Sequence, residues 1–186
     1  MSPATPVTLT IDGRPIEVPA GTTIFDAARA LGIPIPTLCH QQNQTPVAVC
    51  RVCVVEVKNA RVYPAACIRP VEPNMEVVTG SEGVQRARQT LLELLLADHP
   101  VPCARQVKTA DCELEVLARE AGLETPRFGG RPVPVGKDLS HPNIAVDHNA
   151  CILCDRCIRG CSEVQANFVI GRRGKGYTSG IAFDTD

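Results

Sequence analysis

Aromatic residues, net charge and long apolar runs are all scarce in this chain of 186 residues. It has no tryptophan and only 3% aromatic residues, so the interleaved aromatic and basic side chains typical of an RNA-binding sheet are missing. The net charge of −1 provides no strong field that would favour nucleic acid or an anionic membrane. The longest apolar stretch, residues 91–97, is too short to span a bilayer.

A secretory signal is also missing, and this affects the expected redox state of the cysteines. The opening MSPATPVTLTIDG has neither the basic nor the apolar region of a signal peptide. We therefore expect a cytoplasmic protein, in which thiols stay reduced. In that compartment the ten cysteines are expected to be metal ligands or catalytic thiols rather than disulfides.

The first 80 residues carry clear local signals. Residues 7–18 alternate apolar and polar side chains around an Asp-Gly pair, which predicts a β-hairpin. Thr23 is the predicted N-cap of a helix over residues 24–31, and Gly32 is expected to end that helix.

Three further segments predict strands in the same region. Residues 52–57 and 62–66 are interpreted as a second hairpin, and residues 76–79 as a last strand. The resulting ββαβββ order is an α+β arrangement, and it fits the β-grasp domain of plant-type ferredoxins. We expect this domain to occupy residues 1–80, followed by small helical and loop iron–sulfur domains.

The remaining chain is predicted to contain helices and loops. Ser81 should cap a helix over residues 82–97, and a second helix over 111–121 should stop at Gly122. Residues 123–146 are rich in proline and glycine and predict a long loop or linker. The helix over residues 82–97 is expected to bury one apolar face, formed by Val84, Ala87, Leu91, Leu94 and Leu95.

These features suggest three domains: residues 1–80, a helical His/Cys segment at 81–122, and a linker with a C-terminal cluster segment at 123–186. A helical stretch is expected within the last of them, at 156–165.

The first group of thiols contains one close pair with two flanking cysteines: Cys39, Cys50, Cys53 and Cys67. Four thiolates can hold zinc or an iron–sulfur cluster. Zinc ribbons use two C-x2-C knuckles, whereas the order of one Cys, C-x2-C and a distant Cys is that of plant-type [2Fe–2S] proteins. The first gap is C-x10-C rather than the plant-type C-x4-C. The pattern favours [2Fe–2S] over zinc and over buried structural thiols.

A second group consists of His99, Cys103 and Cys112, spaced H-x3-C-x8-C. The spacing is compatible with a truncated metal site. It is equally compatible with a helix-terminal histidine beside two core thiols.

The third group, Cys151, Cys154, Cys157 and Cys161, has the spacing C-x2-C-x2-C-x3-C. This spacing is close to the bacterial run that holds [4Fe–4S], in which a proline follows the last cysteine. Ser162 stands at that proline position. Cys161 is therefore expected either to complete this cluster or to serve a site outside the chain.

Taken in order, these motifs resemble a known family. A β-grasp with C-x10-C-x2-C-x13-C, a Leu-rich helix ending in D-H-P, and a final C-I-x-C-x-R-C are similar to the N-terminal iron–sulfur region of the large subunit of NADH dehydrogenase (complex I). The same region occurs in the diaphorase-side subunit of NAD-reducing hydrogenases and at the N-terminus of NAD-dependent formate dehydrogenases and [FeFe]-hydrogenases. The resemblance covers nearly the whole chain.

The resemblance implies three clusters: one [2Fe–2S] and two [4Fe–4S], the middle one held by one histidine and three cysteines. It also implies partners, namely a flavoprotein that handles NAD(H) and a catalytic oxidoreductase subunit. The chain itself would carry single electrons between them.

Two departures from the family pattern qualify this expectation. The family's middle site runs H-x3-C-x2-C-x5-C, and here Gln106 stands at the third ligand position. An amide is a poor ligand for iron, so the middle cluster is expected to be absent, or to be an altered [4Fe–4S] with an open or oxygen-ligated iron. The second departure is that relatives carry a further Cys, or a second ferredoxin-like pair of cysteine runs, beyond the equivalent of residue 186. If the chain is complete at residue 186, Cys161 or a partner is expected to complete the last cluster.

The sequence contains no evident catalytic residues. Neither a Ser-His-Asp set nor an H-E-x2-H motif is present, and GRRGKGYTSG does not have the spacing of a phosphate loop. His40, His141 and His148 are expected at the surface or in loops. Arg156 and Arg159 are either potential-raising cations beside the last cluster or ordinary solvated residues.

We therefore predict an electron-transfer subunit of an NAD-linked complex, with a hydrogenase or formate dehydrogenase as the favoured setting. A free-standing ferredoxin or redox-sensing regulator is the alternative, and a colourless zinc scaffold is a third.

Overall fold

The computed structural model describes residues 5–183. It divides into two compact units, one formed by Met1–His40 with Pro46–Thr90 and the other by Gln41–Thr45 with Leu91–Asp186. The three-domain division expected from the sequence stays a prediction. Parts of the predicted first and last domains, residues 1–4 and 184–186, lie outside the described residues.

The first unit begins with the predicted hairpin. Strands β1 (Pro6–Ile11) and β2 (Arg14–Pro19) pair antiparallel, with Val7 opposite Val18. Asp12 and Gly13 form the turn with φ of 50° and 75°, which is the positive-φ pair that a tight type I′ turn requires. The hairpin prediction is confirmed.

The following helix, α1 (Ile24–Ala30), also forms where it was predicted. The Thr23 hydroxyl accepts a hydrogen bond from the Asp26 amide at 3.1 Å, which caps the helix. Gly32 has φ 70° and ends the helix. The buried face of α1 joins the sheet residues in one apolar core: Val7, Leu9, Ile11, Ile24, Ala27, Ala28, Val55 and Val77 among others.

The rest of the sheet differs from the prediction. Its order is β2-β1-β4-β3, with β3 at Glu56–Val57 and β4 at Glu76–Val78; β1 and β4 run parallel. Residues 62–66 do not form a strand and meet the preceding segment only at an isolated bridge between Val54 and Ala65. Pro64 has no amide hydrogen to donate, so the predicted second hairpin is wrong in this part.

Helix α2 (Glu82–Ala97) begins at the predicted cap, since the Ser81 hydroxyl accepts from the Val84 amide at 3.3 Å. Its apolar side was predicted only in part. Val84 is buried as expected, but Leu94 is 51% exposed, and Leu92 and Leu96 are buried instead. Residues 91–97 are apolar at every position except Glu93, so periodicity could not select one face.

In the second unit, two short helices follow α2. Helix α3 (Ala104–Thr109) was not predicted, because ARQVKT is short and mostly polar. Helix α4 (Glu113–Glu120) lies within the predicted 111–121, and Gly122 with φ 71° follows it.

The region predicted as a long loop contains a hairpin, which corrects that prediction. Strands β5 (Lys137–His141) and β6 (Ile144–Asp147) pair antiparallel. Their residues are largely exposed, so they lack the alternation by which a half-buried strand is recognised.

The C-terminal part combines a short helix with another hairpin. Helix α5 (Arg156–Arg159) continues into a π-helical turn at Gly160–Val164. Strands β7 (Ile170–Arg173) and β8 (Gly180–Phe183) pair antiparallel, and the stretch GRRGKGYTSG forms their connection. None of the helices between residues 5 and 183 combines the length and apolar character needed to cross a bilayer.

Candidate metal centres

The first thiol group lies in the β-grasp unit and is fully buried. Cys39, Cys50 and Cys53 all lie in the long connection between α1 and β3, and Cys67 follows the Val54–Ala65 bridge. This connection has positive φ at Arg51 (61°), a sharp bend between Cys50 and Cys53. The fold therefore brings all four predicted ligands into one buried neighbourhood.

The four thiols form two hydrogen-bonded pairs, Cys39 with Cys50 and Cys53 with Cys67. The Cys39 amide also donates to the Cys50 sulfur at 3.4 Å. The hydrogen bond from Cys39 lowers the pKa of Cys50 to about 5, and the hydrogen bond from Cys67 lowers the pKa of Cys53 to about 7. The same bonds, and then burial, raise the pKa of Cys39 and Cys67. Each pair therefore favours one thiolate and one thiol.

A cation that the sequence reasoning missed lies close to this group. Arg88, on α2, is half-buried and donates to the Val54 carbonyl at 2.8 Å. Burial lowers the pKa of Arg88, while the charge of Cys53 acts in the opposite direction. The sequence did contain a sign of it: Arg88 lies four residues from both Val84 and Leu92, on the side of the helix that carries these two apolar residues.

The middle group gains a member that was not predicted. Ligand atoms of His99, Cys103, Cys112 and Glu115 all lie within 4.8 Å of one another. His99 Nε2 is 3.6 Å from the Cys112 sulfur and 3.6 Å from Glu115 Oε1. His99 follows the end of α2, Cys103 and Cys112 are the N-caps of α3 and α4, and Glu115 lies in the first turn of α4.

Gln106 does not belong to this set of ligand atoms. Its side-chain oxygen accepts from the Cys112 amide at 3.1 Å, and its own backbone amide donates to the Cys103 sulfur at 3.4 Å. The Gln106 side chain therefore supports the backbone at Cys112. Three cysteine ligands for a cubane are not available within residues 5–183 at this site, and the residues present do not fit the cluster that the family pattern implies.

Burial shifts the pKa of His99 and of Cys103, whereas hydrogen bonding outweighs burial at Glu115. Burial lowers the pKa of His99, which favours the neutral imidazole that metals require, and it raises the pKa of Cys103 to about 11. For Glu115, burial opposes ionisation, but the amide of Cys103, which donates at 2.8 Å, contributes to a net lowering of the pKa.

The C-terminal thiols lie in irregular backbone around α5. Cys151 and Cys154 are half-buried, Cys157 is exposed and Cys161 is buried. Burial and then the charge of Cys154 raise the pKa of Cys151. Desolvation of the sulfur, followed by the charges of Cys154 and Cys151, raises the pKa of Cys157 although the residue as a whole is exposed. These three thiols therefore lie within electrostatic reach of one another.

The two arginines among these thiols differ. Arg159 is 4% exposed, and its guanidinium donates to the carbonyls of Thr45 at 2.8 Å and Cys154 at 3.2 Å. Arg156 forms a salt bridge with Glu113 at 2.6 Å. Arg159 is thus a buried structural cation rather than a solvated residue.

The remaining histidines lie in loops or at the surface, as predicted, but two of them are not freely exposed. His148 lies in the turn after β6 and is 3% exposed, and its two ring nitrogens have no hydrogen-bond partner within the described chain. His40 packs on Phe25, with ring centroids 4.6 Å apart.

Comparisons with known proteins agree with this arrangement. The domain family described as "2Fe-2S iron-sulfur cluster binding domain" matches residues 4–82. The crystal structure of an NAD+-reducing [NiFe]-hydrogenase in the H2-reduced state contains a chain that superposes with a TM-score of 0.84 at 36% identity, covering 94% of this chain and 74% of that one. The chain therefore belongs to the iron–sulfur family that includes the NAD-reducing hydrogenases and the large subunit of complex I.

The curated relatives include subunits of a hydrogenase and of NADH-quinone oxidoreductase. The chain is 43% identical to the HndD subunit of an NADP-reducing hydrogenase from Solidesulfovibrio fructosivorans over 95% of its length. It is 36% identical to a subunit of an NADH-quinone oxidoreductase from Rhizobium meliloti over 94% of its length. It spans 31% and 21% of these two relatives, respectively. The resemblance inferred from the motifs, the ferredoxin-like fold and the presence of a [2Fe–2S] domain are confirmed.

Proposed function

We propose that this chain is an iron–sulfur electron-transfer subunit, which carries single electrons between an NAD(H)-linked flavoprotein and a catalytic oxidoreductase subunit. The observation that carries the proposal is the set of four buried, paired thiols on a β-grasp sheet, inside residues that match a [2Fe–2S] domain family. An iron–sulfur cluster, when bound, accepts and releases one electron at a time. The polypeptide supplies ligands, burial and hydrogen bonds.

The ligands proposed for the [2Fe–2S] cluster are Cys39, Cys50, Cys53 and Cys67. The pairing of the thiols supports a division in which Cys39 and Cys50 bind one iron and Cys53 and Cys67 the other. Because each pair retains a proton without metal, cluster binding should release protons. Arg88 lies close enough to Cys53 to influence the potential of this cluster.

The ligands proposed for a [4Fe–4S] cluster are Cys151, Cys154 and Cys157, with Cys161 as the fourth. The mutual charge effects of the first three support this assignment. Cys161 is buried in the π-helical turn that continues α5, within the same short segment. A cysteine of a partner protein is the alternative fourth ligand.

The names of the relatives support a multi-subunit setting. They are subunits of an NADP-reducing hydrogenase and of NADH-quinone and NADH-ubiquinone oxidoreductases, and none of these is named a free-standing ferredoxin or regulator. We therefore favour a docked subunit, with a hydrogenase or formate dehydrogenase as the catalytic partner. A cytoplasmic location fits ten unbridged cysteines within the described residues.

Reduction of the chain by a flavoprotein tests the proposal. The full chain, matured anaerobically with cluster-assembly proteins, is mixed with the NADH-oxidising flavoprotein of a related hydrogenase. We expect NADH to bleach the visible absorbance of the chain only when the flavoprotein is present. If dithionite bleaches the chain but the flavoprotein and NADH do not, the NAD-linked role is wrong, and the free-standing ferredoxin becomes the better interpretation.

A further inference from the structure

The middle group of residues has the composition of a site for one metal ion. We propose that His99, Cys103, Cys112 and Glu115 bind a single Zn²⁺ in place of a [4Fe–4S] cluster. This site is separate from both proposed electron-transfer clusters, and the inference goes beyond the proposed function.

The distances fit a tetrahedral ion. Zinc bonds of about 2.1 Å to nitrogen or oxygen and about 2.3 Å to sulfur place neighbouring ligand atoms about 3.4–3.8 Å apart around a tetrahedron. His99 Nε2 lies 3.6 Å from both the Cys112 sulfur and the Glu115 carboxylate. No pair in the set exceeds 4.8 Å, so a small contraction would place all four ligands on one ion.

The same closeness argues against a cubane. The four irons of a cubane occupy different corners and each takes its own ligand, so the four ligand atoms must stand well apart. Here no two of them are more than 4.8 Å apart, and one of them is a carboxylate, a ligand that zinc accepts readily. The residue at the position of the missing cysteine, Gln106, hydrogen-bonds the Cys112 backbone instead.

A divalent cation suits the charges at the site. Glu115 is 5% exposed; its carboxylate accepts a hydrogen bond from the Cys103 amide and lies 3.6 Å from His99, which contributes no charge when neutral. Cys103 and Cys112 are buried beside it. A carboxylate in such a position is costly unless an opposite charge compensates it, and a divalent cation would compensate both the carboxylate and the two thiolates.

The bound ion would have a structural role. Its four ligands come from the end of α2, the N-cap of α3, and the N-cap and first turn of α4. Four protein ligands leave no open position for substrate, which is the usual arrangement of a structural zinc. A cavity of about 520 Å³ that borders His99 and Glu115 provides a route for the ion.

Metal analysis of matched variants tests the proposal. The full chain is purified anaerobically from cells supplied with iron, zinc and cluster-assembly proteins, and zinc and iron are measured together by mass spectrometry. We expect about one zinc per chain in the wild type. Glu115→Gln should lose most of this zinc and retain the iron, whereas Glu120→Gln, an exposed glutamate on the same helix, should retain both.

Two further measurements cover the case in which Glu115→Gln folds poorly. Growth with Co²⁺ should produce a sulfur-to-cobalt charge-transfer band that Cys112→Ser abolishes. Gln106→Cys, which restores the family's three cysteines, should exchange the zinc for additional iron. The proposal is overturned if the wild type lacks zinc, if its zinc persists undiminished in the Glu115 and Cys112 variants, or if the wild type already holds a third cluster.

Discussion

The β-grasp thiols and the C-terminal thiols are held in different ways. Cys39, Cys50, Cys53 and Cys67 are all buried, in a unit with a four-stranded sheet and a helix packed into one apolar core. At the C-terminus, only Cys161 is buried, and the supporting elements are a four-residue helix, a π-helical turn and two-stranded sheets. The first site is therefore built by the fold, whereas we expect the second to be built largely by its cluster.

This difference determines what cluster loss should do. A sheet with its own core keeps its hydrogen bonds when a ligand leaves, because burial of apolar surface stabilises it independently. A short helix without such a core is only marginally stable. The C-terminal segment should therefore order itself when its cysteines bind iron.

Removing a single cysteine ligand from each site should have the largest effect and should affect the two regions differently. Cys53→Ser should eliminate the [2Fe–2S] cluster and lower the iron by about two per chain, while Cys157→Ser should eliminate the [4Fe–4S] cluster and lower it by about four. Circular dichroism should remain nearly unchanged in the first variant and lose helical signal in the second. Loss of all iron in either variant would show that the two sites do not assemble independently.

Removal of iron from the wild-type chain should have the next largest effect, because the two regions should then differ in hydrogen exchange. After anaerobic chelation, amides of α5 should exchange at least about 100-fold faster with solvent. Amides of β1 should change much less, since Leu9 and Ile11 lie in the core. Hydrogen exchange read by mass spectrometry measures both in one sample, and equal protection of α5 with and without iron would contradict the expected difference.

The smallest effect concerns the potential of the C-terminal cluster. Arg159→Met removes a buried cation that binds the Cys154 carbonyl, so the potential should fall by an amount on the order of tens of millivolts. Arg156→Met is the matched control, because Arg156 is paired with Glu113 and should have a smaller influence. An EPR-monitored redox titration gives both values, and a larger shift for Arg156→Met would reverse the assignment of Arg159.

The parts of the molecule that could be predicted from the sequence are those with a local signal. The Asp-Gly pair specifies the first turn, Thr23 specifies the start of α1, and Gly32 specifies its end. The spacings of cysteine and histidine predicted members of all three candidate sites, because metal ligation constrains spacing more tightly than core packing does.

The parts that were missed depend on tertiary context. Glu115 is indistinguishable in sequence from an ordinary glutamate of a helix, and only folding brings it to His99 and Cys112. The buried side of α2 could not be identified within an apolar run, so Leu94 was predicted to be buried although it is exposed. The exposed strands β5 and β6 have no alternating pattern that would have revealed them.

Quantifying iron and acid-labile sulfide, together with EPR of the reduced protein, tests the central claim most directly. We predict about six irons and six sulfides per chain, with one rhombic [2Fe–2S] signal and one [4Fe–4S] signal. A colourless chain that binds only zinc, although matured anaerobically with cluster-assembly proteins, would contradict this claim.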